Sequence, residues 1–248
     1  MTNALDLNRG FLYGDGFFET MRIINGDIPL WQLHMDRAKR TAEFLETNWP
    51  DDLNLDLLKK HVLQHNENNL NVVRLDFFRT GSGTYVPEDN ALEYIFSFRN
   101  GNVDNTCFPL TKEDFELTVT QLVSRKVGVY NEFHKQCNSL SEIKSTSAIF
   151  YVKAAMFLKK QSNWTDLILL NEHGRVCEGL SSNILFKKGM QWFGSKAKEG
   201  QVLGVFQQHL ESYLNVELTE ITVDRLKEAD SVLFTNAATG IRKVELVR

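Results

Sequence analysis

Two residues of this chain invite chemistry by type and setting: Lys144, in "NSLSEIKSTSAIF", and Glu178, in "RVCEGLSSNILF". A lysine amine becomes a nucleophile, able to condense with a carbonyl, when burial or an opposing field lowers its pKa. The pattern places Lys144 where the chain enters a helix of about Ser145 to Lys160, against the positive end of the helix dipole. Taken alone, that stretch reads more simply as a solvated lysine ahead of a helix. Glu178 ends a short strand and is followed by Gly179, Ser181, Ser182 and Asn183. A carboxylate there commonly caps a turn. It would equally suit a ring nitrogen of a bound cofactor, kept protonated so that the ring withdraws electrons.

Three further stretches suit an anion. Arg37, in "HMDRAKR", lies on a helix and could clamp a phosphate, although most helical arginines are solvated. "QVLGVFQQHL" opens a helix whose first N–H groups lack partners, and "LFTNAATGIR" has the small residues of an anion nest. The Gly-Asp-Gly of "LYGDGFFET" reads as a tight turn. No GxxxxGK[ST] occurs, which argues against a nucleoside triphosphate site.

The elements that must position these residues fall into two groups. In "FFETMRIINGDIPLW", Asn25-Gly26 predicts a hairpin; "QLHMDRAKRTAEFLE" and "LNLDLLKKHVLQHNEN" predict helices. "NVVRLDFFR", "ALEYIFSFR" and "FELTVTQLV" read as strands. The result is a small α+β domain over residues 1–104, with the link in Gly101–Glu113. Residues 105–248 hold the long helix, then "DLILLNEHGRVCEG" and "SSNILFKKGMQWFG" as four short strands. A helix near "LGVFQQHLESYLN", the strand "ELTEITV", a short helix at "DRLKEAD" and the strands "SVLFTN" and "IRKVELV" close the chain. Short, turn-punctuated strands favour a barrel-like larger domain.

Composition narrows the class. Lys and Arg number 28 against 32 Asp and Glu, a net charge of −4, which argues against a nucleic-acid surface. "MTNALDLNRG" has neither the basic nor the apolar region of a secretory signal, and no apolar run approaches a membrane span. Cys107, Cys137 and Cys177 are scattered, without CxxC or paired-histidine spacing, which predicts reduced thiols, a cytoplasmic protein and no metal site.

The order of the pieces is more specific than any one of them. "RGFLYGDGFFET", "HMDRAKR", "FFRTGSGTY", "LSEIKS", "LILLNEHGRVCEGLSSNILF", "LGVF" and "LFTNAATGI" follow one another from about Arg9 to Val244. This succession resembles the class IV aminotransferases, the pyridoxal-phosphate enzymes of fold type IV. The resemblance implies a two-domain α+β fold with a small α/β N-terminal domain and a larger barrel-like, cofactor-binding C-terminal domain. It implies pyridoxal 5'-phosphate as cofactor, a small amino-acid-like substrate and a homodimer. Lys144 matches the lysine that carries the cofactor and moves the proton at Cα, and Glu178 the partner of the pyridine nitrogen. Arg37, Val205, Phe206, Asn236 and Ala237 match the phosphate contacts, and Phe18 and Arg79 fall near positions bordering the substrate.

The resemblance has departures. Phe206-Gln207 replaces a common Thr-Arg, and Asn236-Ala237 a pair that often brings a threonine hydroxyl. Phosphate binding would then rest on backbone N–H groups, with Thr239 as a substitute donor. The short chain, Asn236-Ala237 and the "RTGSGTY" loop lean toward aminodeoxychorismate lyases, which make 4-aminobenzoate for folate synthesis. A transaminase of branched-chain or D-amino acids, or a non-catalytic descendant, are the alternatives.

Overall fold

The computed structural model describes residues 8–50, 53–101 and 104–247 of the 248-residue chain. The N-terminal stretch read for a leader lies outside the described residues as far as residue 7, as do residues 102–103 of the expected link. The chain divides into two compact units, Met1–Asn102 with Lys144–Ser147, and Val103–Ile143 with Ala148–Arg248. Four mid-chain residues thus join the first unit.

The first unit begins with α1 (Arg9–Tyr13), whose N-terminus is capped by Asn8 Oδ1 accepting from the Phe11 N–H at 2.9 Å. β1 (Gly16–Arg22) follows, then α2 (Trp31–Phe44), α3 (Leu55–Gln64), β2 (Val72–Arg79) and β3 (Leu92–Arg99). The strands form an antiparallel sheet in the order β1-β2-β3, with Glu19 opposite Leu75. Alternation along β1 buries Phe17, Glu19 and Met21 and leaves Phe18 and Thr20 half-buried. Met35, Ala38 and Ala42 of α2, at helical spacing, join Phe17, Met21, Leu75 and Phe77 in the core. The Phe17 and Phe77 rings stack at 4.9 Å, and each such buried side chain contributes about 1.5–3 kcal/mol.

The Asn-Gly turn forms as expected: Asn25 (φ 51°) and Gly26 (φ 76°) supply consecutive positive φ, and Ile24 and Asp27 exchange hydrogen bonds of 2.8 and 3.0 Å. It closes only one bridge. Pro29 brings no N–H to a ladder, and β1 takes β2 as its partner instead.

The second unit contains α4 (Lys112–Gln121), β4 (Arg125–Lys135), α5 (Ser139–Glu142), α6 (Ile149–Leu158), β5 (Asp166–Asn171), β6 (Val176–Gly179), β7 (Asn183–Lys188) and β8 (Gln191–Ser195). After these come α7 (Val205–Glu211), β9 (Val216–Thr219), α8 (Val223–Lys227), β10 (Ser231–Asn236) and β11 (Gly240–Leu246). The eight strands form one sheet, ordered β6-β5-β4-β11-β10-β7-β8-β9, in which β4 runs parallel to both β5 and β11. The sheet curls: Val176 at its β6 edge donates its N–H to the Ile221 carbonyl, just past β9, at 2.8 Å. Both faces are covered, as expected for strands with parallel partners. Leu167 and Leu169 meet Ala154 and Phe157 of α6, while Ile168, Ile184 and Phe234 fill the other face. Gly128 of β4 is required by close approach, since a Cβ there would lie 2.1 Å from the Trp164 ring.

Two expectations are corrected. "FELTVTQLV", read as a strand, is largely α4: Thr111 caps it by accepting from the Asp114 N–H at 3.1 Å, Glu113 and Asp114 suit its first turn, and Phe115 and Thr118 share a buried face. The helix read from Ser145 starts at Ile149. The Phe18 N–H donates to the Lys144 carbonyl at 3.0 Å and the Thr146 N–H to the Gly16 carbonyl at 2.9 Å, holding residues 144–146 extended along β1. Lys144 therefore lies outside any helix, and the dipole argument does not apply to it. Among the described residues, no helix is long and apolar enough to cross a membrane.

Candidate functional site

In the first unit, β1 is the organising element. Its main chain holds Lys144, and its half-buried face presents Phe18, over whose ring the Lys144 amine sits at 4.4 Å. The Arg74 guanidinium packs against the same ring at 3.6 Å and is held by Asp76. Phe18 and Lys144, predicted separately from sequence, are thus brought together. The aromatic face favours a cation beside it.

On the buried face, Glu19 receives Arg37 and His34, one helical turn apart on α2. Arg37 donates Nε to Oε1 at 2.8 Å and Nη2 to Oε2. Burial opposes the charge on Glu19, but the Arg37 guanidinium and His34 outweigh it and hold its carboxyl at about 2, below the ordinary 4.5. Burial likewise lowers the His34 pKa, against the pull of Glu19. The neutral ring donates from Nδ1 to Glu19 Oε2 at 2.6 Å.

A group whose folded pKa is depressed stabilises the fold above its unfolded pKa, and that stability is lost as pH falls through the folded value. The Glu19 contribution, on the order of 3 kcal/mol, is present above pH 4.5 and lost toward pH 2. Urea unfolding of wild type and Glu19→Gln across that window is expected to give curves that converge as pH falls. A gap independent of pH would show that the cluster does not hold a charged carboxylate.

Arg79 is occupied at all three nitrogens. Nε donates to Asp15 at 3.0 Å, Nη1 to the Glu46 carbonyl and Asn90 Oδ1, and Nη2 to the Leu45 carbonyl. Asp15 also accepts from Arg9 Nε at 2.8 Å, and Arg9 Nη1 reaches the carbonyls of Ser82, Gly83 and Thr84. The Gly-Asp-Gly turn is therefore the hub of a buried two-arginine brace, beyond the tight turn read from sequence.

In the second unit, Glu178 leaves β6 and is held on both oxygens. Val202 donates its N–H to Oε2 at 3.0 Å. Tyr151 Oη donates to Oε1 at 2.6 Å, and Lys135 Nζ donates to the same oxygen and to Tyr151 Oη. Burial, followed by the charge of Glu178, pushes the Tyr151 phenol well above its ordinary pKa, so it remains a donor. Sequence reasoning missed Lys135 and Tyr151. Lys135 ends β4, a strand that was not recognised, and Tyr151 lies on the helical face of α6.

The two segments expected at the phosphate, the entry to α7 and the Asn236-Ala237 turn, both lie in this unit. Asn183 Nδ2 donates to the Val202 carbonyl at 2.7 Å, bracing the entry to α7. Gly204 is the N-cap of α7, and a Cβ there would collide with Asn183 Oδ1. The Phe206 side chain turns into the core, 4.5 Å from the Phe108 ring. Asn236 donates from Nδ2 to the Ser181 carbonyl and accepts at Oδ1 from the Ala238 and Thr239 N–H groups, folding the turn that holds Ala237. The Thr239 hydroxyl in that turn is buried with no hydrogen-bond partner, an unusual state for a polar atom.

The amino-transferase class IV family profile matches residues 16–247. The chain belongs to that family. Its members are pyridoxal-phosphate-dependent enzymes. An aminodeoxychorismate lyase of Vibrio harveyi is 22% identical, covering 96% of this chain and 84% of the relative. A D-alanine aminotransferase of Listeria monocytogenes is 24% identical, covering 96% and 80%. Among solved structures, the 4-amino-4-deoxychorismate lyase of Pseudomonas aeruginosa superposes with a TM-score of 0.76 at 21% identity, covering 96% of this chain and 85% of that one. The branched-chain aminotransferase of Thermoproteus uzoniensis gives 0.80 at 17%, covering 99% and 82%. At such identities the structures speak for the fold, the α+β arrangement of a small antiparallel sheet and a curled eight-stranded sheet.

The class IV cofactor needs a lysine amine, a carboxylate for its ring nitrogen and donors for its phosphate. This chain has an amine on Phe18, a carboxylate braced by Lys135 and Tyr151, and an unpartnered hydroxyl beside the Asn236-Ala237 turn. That donor set fits the group.

Proposed function

We propose that this chain is a pyridoxal-phosphate-dependent lyase that converts 4-amino-4-deoxychorismate into 4-aminobenzoate and pyruvate. The observation that carries the reading is the braced carboxylate of Glu178, in the block shared with the family. The choice of lyase rests on likeness to the Vibrio harveyi enzyme along nearly the whole chain. The cofactor, when bound, supplies an electron sink for the carbon that bears the substrate amine.

The chain's own groups do the rest. Lys144 would hold the cofactor and would take the proton from the amine-bearing carbon of the substrate. Loss of that proton and cleavage of the enolpyruvyl C–O bond make the ring aromatic, and the three-carbon fragment leaves as an enolate that becomes pyruvate on taking up the proton Lys144 removed. Glu178 keeps the pyridine nitrogen protonated. The backbone N–H groups of Val205 and Phe206, the Asn236-Ala237 turn and the Thr239 hydroxyl would hold the phosphate, while Arg37, matched to it by the resemblance, has Nε and Nη2 committed to Glu19. Phe18 orients Lys144 and borders the substrate. Arg79, with its donors committed, serves as a brace for the loop that follows β2. The family resemblance supports a homodimer, and the three scattered, unpaired cysteines support a cytoplasmic location.

A second reading, a D-amino acid transaminase, draws on likeness to the Listeria monocytogenes enzyme. One assay separates the two. Protein with pyridoxal phosphate is given 4-amino-4-deoxychorismate generated in situ, and separately D-alanine. The lyase reading expects 4-aminobenzoate and pyruvate in equal amounts from the first. Cofactor converted to its amine form by D-alanine, with no 4-aminobenzoate, would overturn it in favour of the transaminase.

A further inference from the structure

The second unit also gathers three metal-ligating side chains. Cys137 lies just past the end of β4, and Glu172 and His173 lie in the turn after β5. One donor atom from each, a thiol sulfur, a carboxylate oxygen and an imidazole nitrogen, all lie within 4.8 Å of one another. Among the described residues this is the one such trio. We propose that Cys137, Glu172 and His173 bind a borderline-soft divalent cation of the zinc class, tying the end of β4 to the β5–β6 turn.

The trio is built, not accidental. The Cys137 N–H donates to Glu172 Oε1 at 2.8 Å, fixing the carboxylate beside the thiol and leaving its second oxygen to ligate. The turn that carries His173 is held by Asn171, which is fully buried. Asn171 Oδ1 accepts from the His173 and Arg175 N–H groups at 3.0 Å each, and its Nδ2 donates to the Glu199 carbonyl at 3.1 Å. Gly174 completes the turn at φ 70°. The Glu172 N–H donates to the Lys135 carbonyl at 2.9 Å, so the two supporting strands are already joined beneath the trio.

The donor types choose the ion. Calcium and magnesium take all-oxygen shells, whereas thiolate with imidazole and carboxylate suits zinc and its neighbours. Bonds of about 2.0–2.3 Å in a tetrahedral shell place donors roughly 3.3–3.8 Å apart, with water in the fourth position. On binding, the sulfur–metal bond replaces the S–H bond and the proton passes to solvent. No sequence spacing signalled the site, because the fold brings Cys137 to residues 35 and 36 positions onward, and the expectation of no metal rested on sequence spacing alone.

The test follows Cys137 in the holoenzyme, freed of stray metal by a chelator and carrying no affinity tag. Alkylation rates of Cys137 and Cys107 are read by peptide mass spectrometry with and without one equivalent of Zn2+. Zinc is expected to slow alkylation of Cys137 about tenfold or more, because a metal-bound thiolate is withheld from the reagent, and to leave Cys107 unchanged. Glu172 and His173 are exposed, so Glu172→Gln and His173→Ala should fold normally and lose about 10–100-fold in zinc affinity, abolishing the protection. No protection in wild type, or equal protection in both variants, would overturn the proposal.

Discussion

Lys144→Ala is expected to leave the fold intact, to lose the visible absorption of bound pyridoxal phosphate and to reduce turnover by about 10³-fold or more. The fold should survive because the contacts that fix this segment are main-chain: the Lys144 carbonyl accepts from the Phe18 N–H, and Ser145 bridges Phe17. The side chain contributes an amine over an aromatic face, worth only about 0.5–1 kcal/mol at a half-buried position. Urea unfolding should therefore change little while chemistry collapses. That split separates a catalytic lysine from a structural one. An absorption band retained in Lys144→Ala would mean that another amine carries the cofactor.

Lys135→Met is expected to do the reverse, unfolding the protein readily. The Lys135 and Glu178 side chains are 7% and 5% exposed. Removing one partner of so buried a pair leaves an uncompensated charge, which costs about 3–5 kcal/mol. The double variant Lys135→Met/Glu178→Gln should recover most of that loss, since it removes both charges. Tyr151→Phe should cost about 1 kcal/mol, one hydrogen bond to a carboxylate that keeps its cation. A Lys135→Met loss below about 1 kcal/mol, the scale of an exposed pair, would show that the two residues are not coupled. The double variant also bears on function: if it folds well but holds cofactor poorly, Glu178 matters to the cofactor beyond its part in the core.

These two lysines show what the sequence could and could not disclose. Motif order made Lys144 conspicuous, but the local reading of its position was wrong: small hydroxyl residues after a lysine look like a helix entry, and here they bond to β1 from 130 positions away. Lys135 stayed invisible because its strand lacks an alternating pattern: Arg125, Lys126 and the four residues 131–134 are exposed, with only Val127, Gly128, Tyr130 and Lys135 buried. The alternating Glu-Leu-Thr-Val-Thr of α4 looked like a strand until the Thr111 cap decided otherwise. Local signals with their own chemistry, such as Asn25-Gly26, were legible because both residues tolerate positive φ. Arg37 was legible on its helix, but His34 beside it and their shared partner Glu19 were not, because that cluster is set by the β1–α2 packing. The zinc trio had no signal at all, being purely a product of how β4 and β5 align.

The measurement that tests the account most directly is borohydride reduction of the holoenzyme followed by peptide mapping of the pyridoxyl group. The account predicts one labelled peptide, carrying the mass increment on Lys144. A label on Lys135, the buried amine beside Glu178, or on no lysine at all, would contradict it.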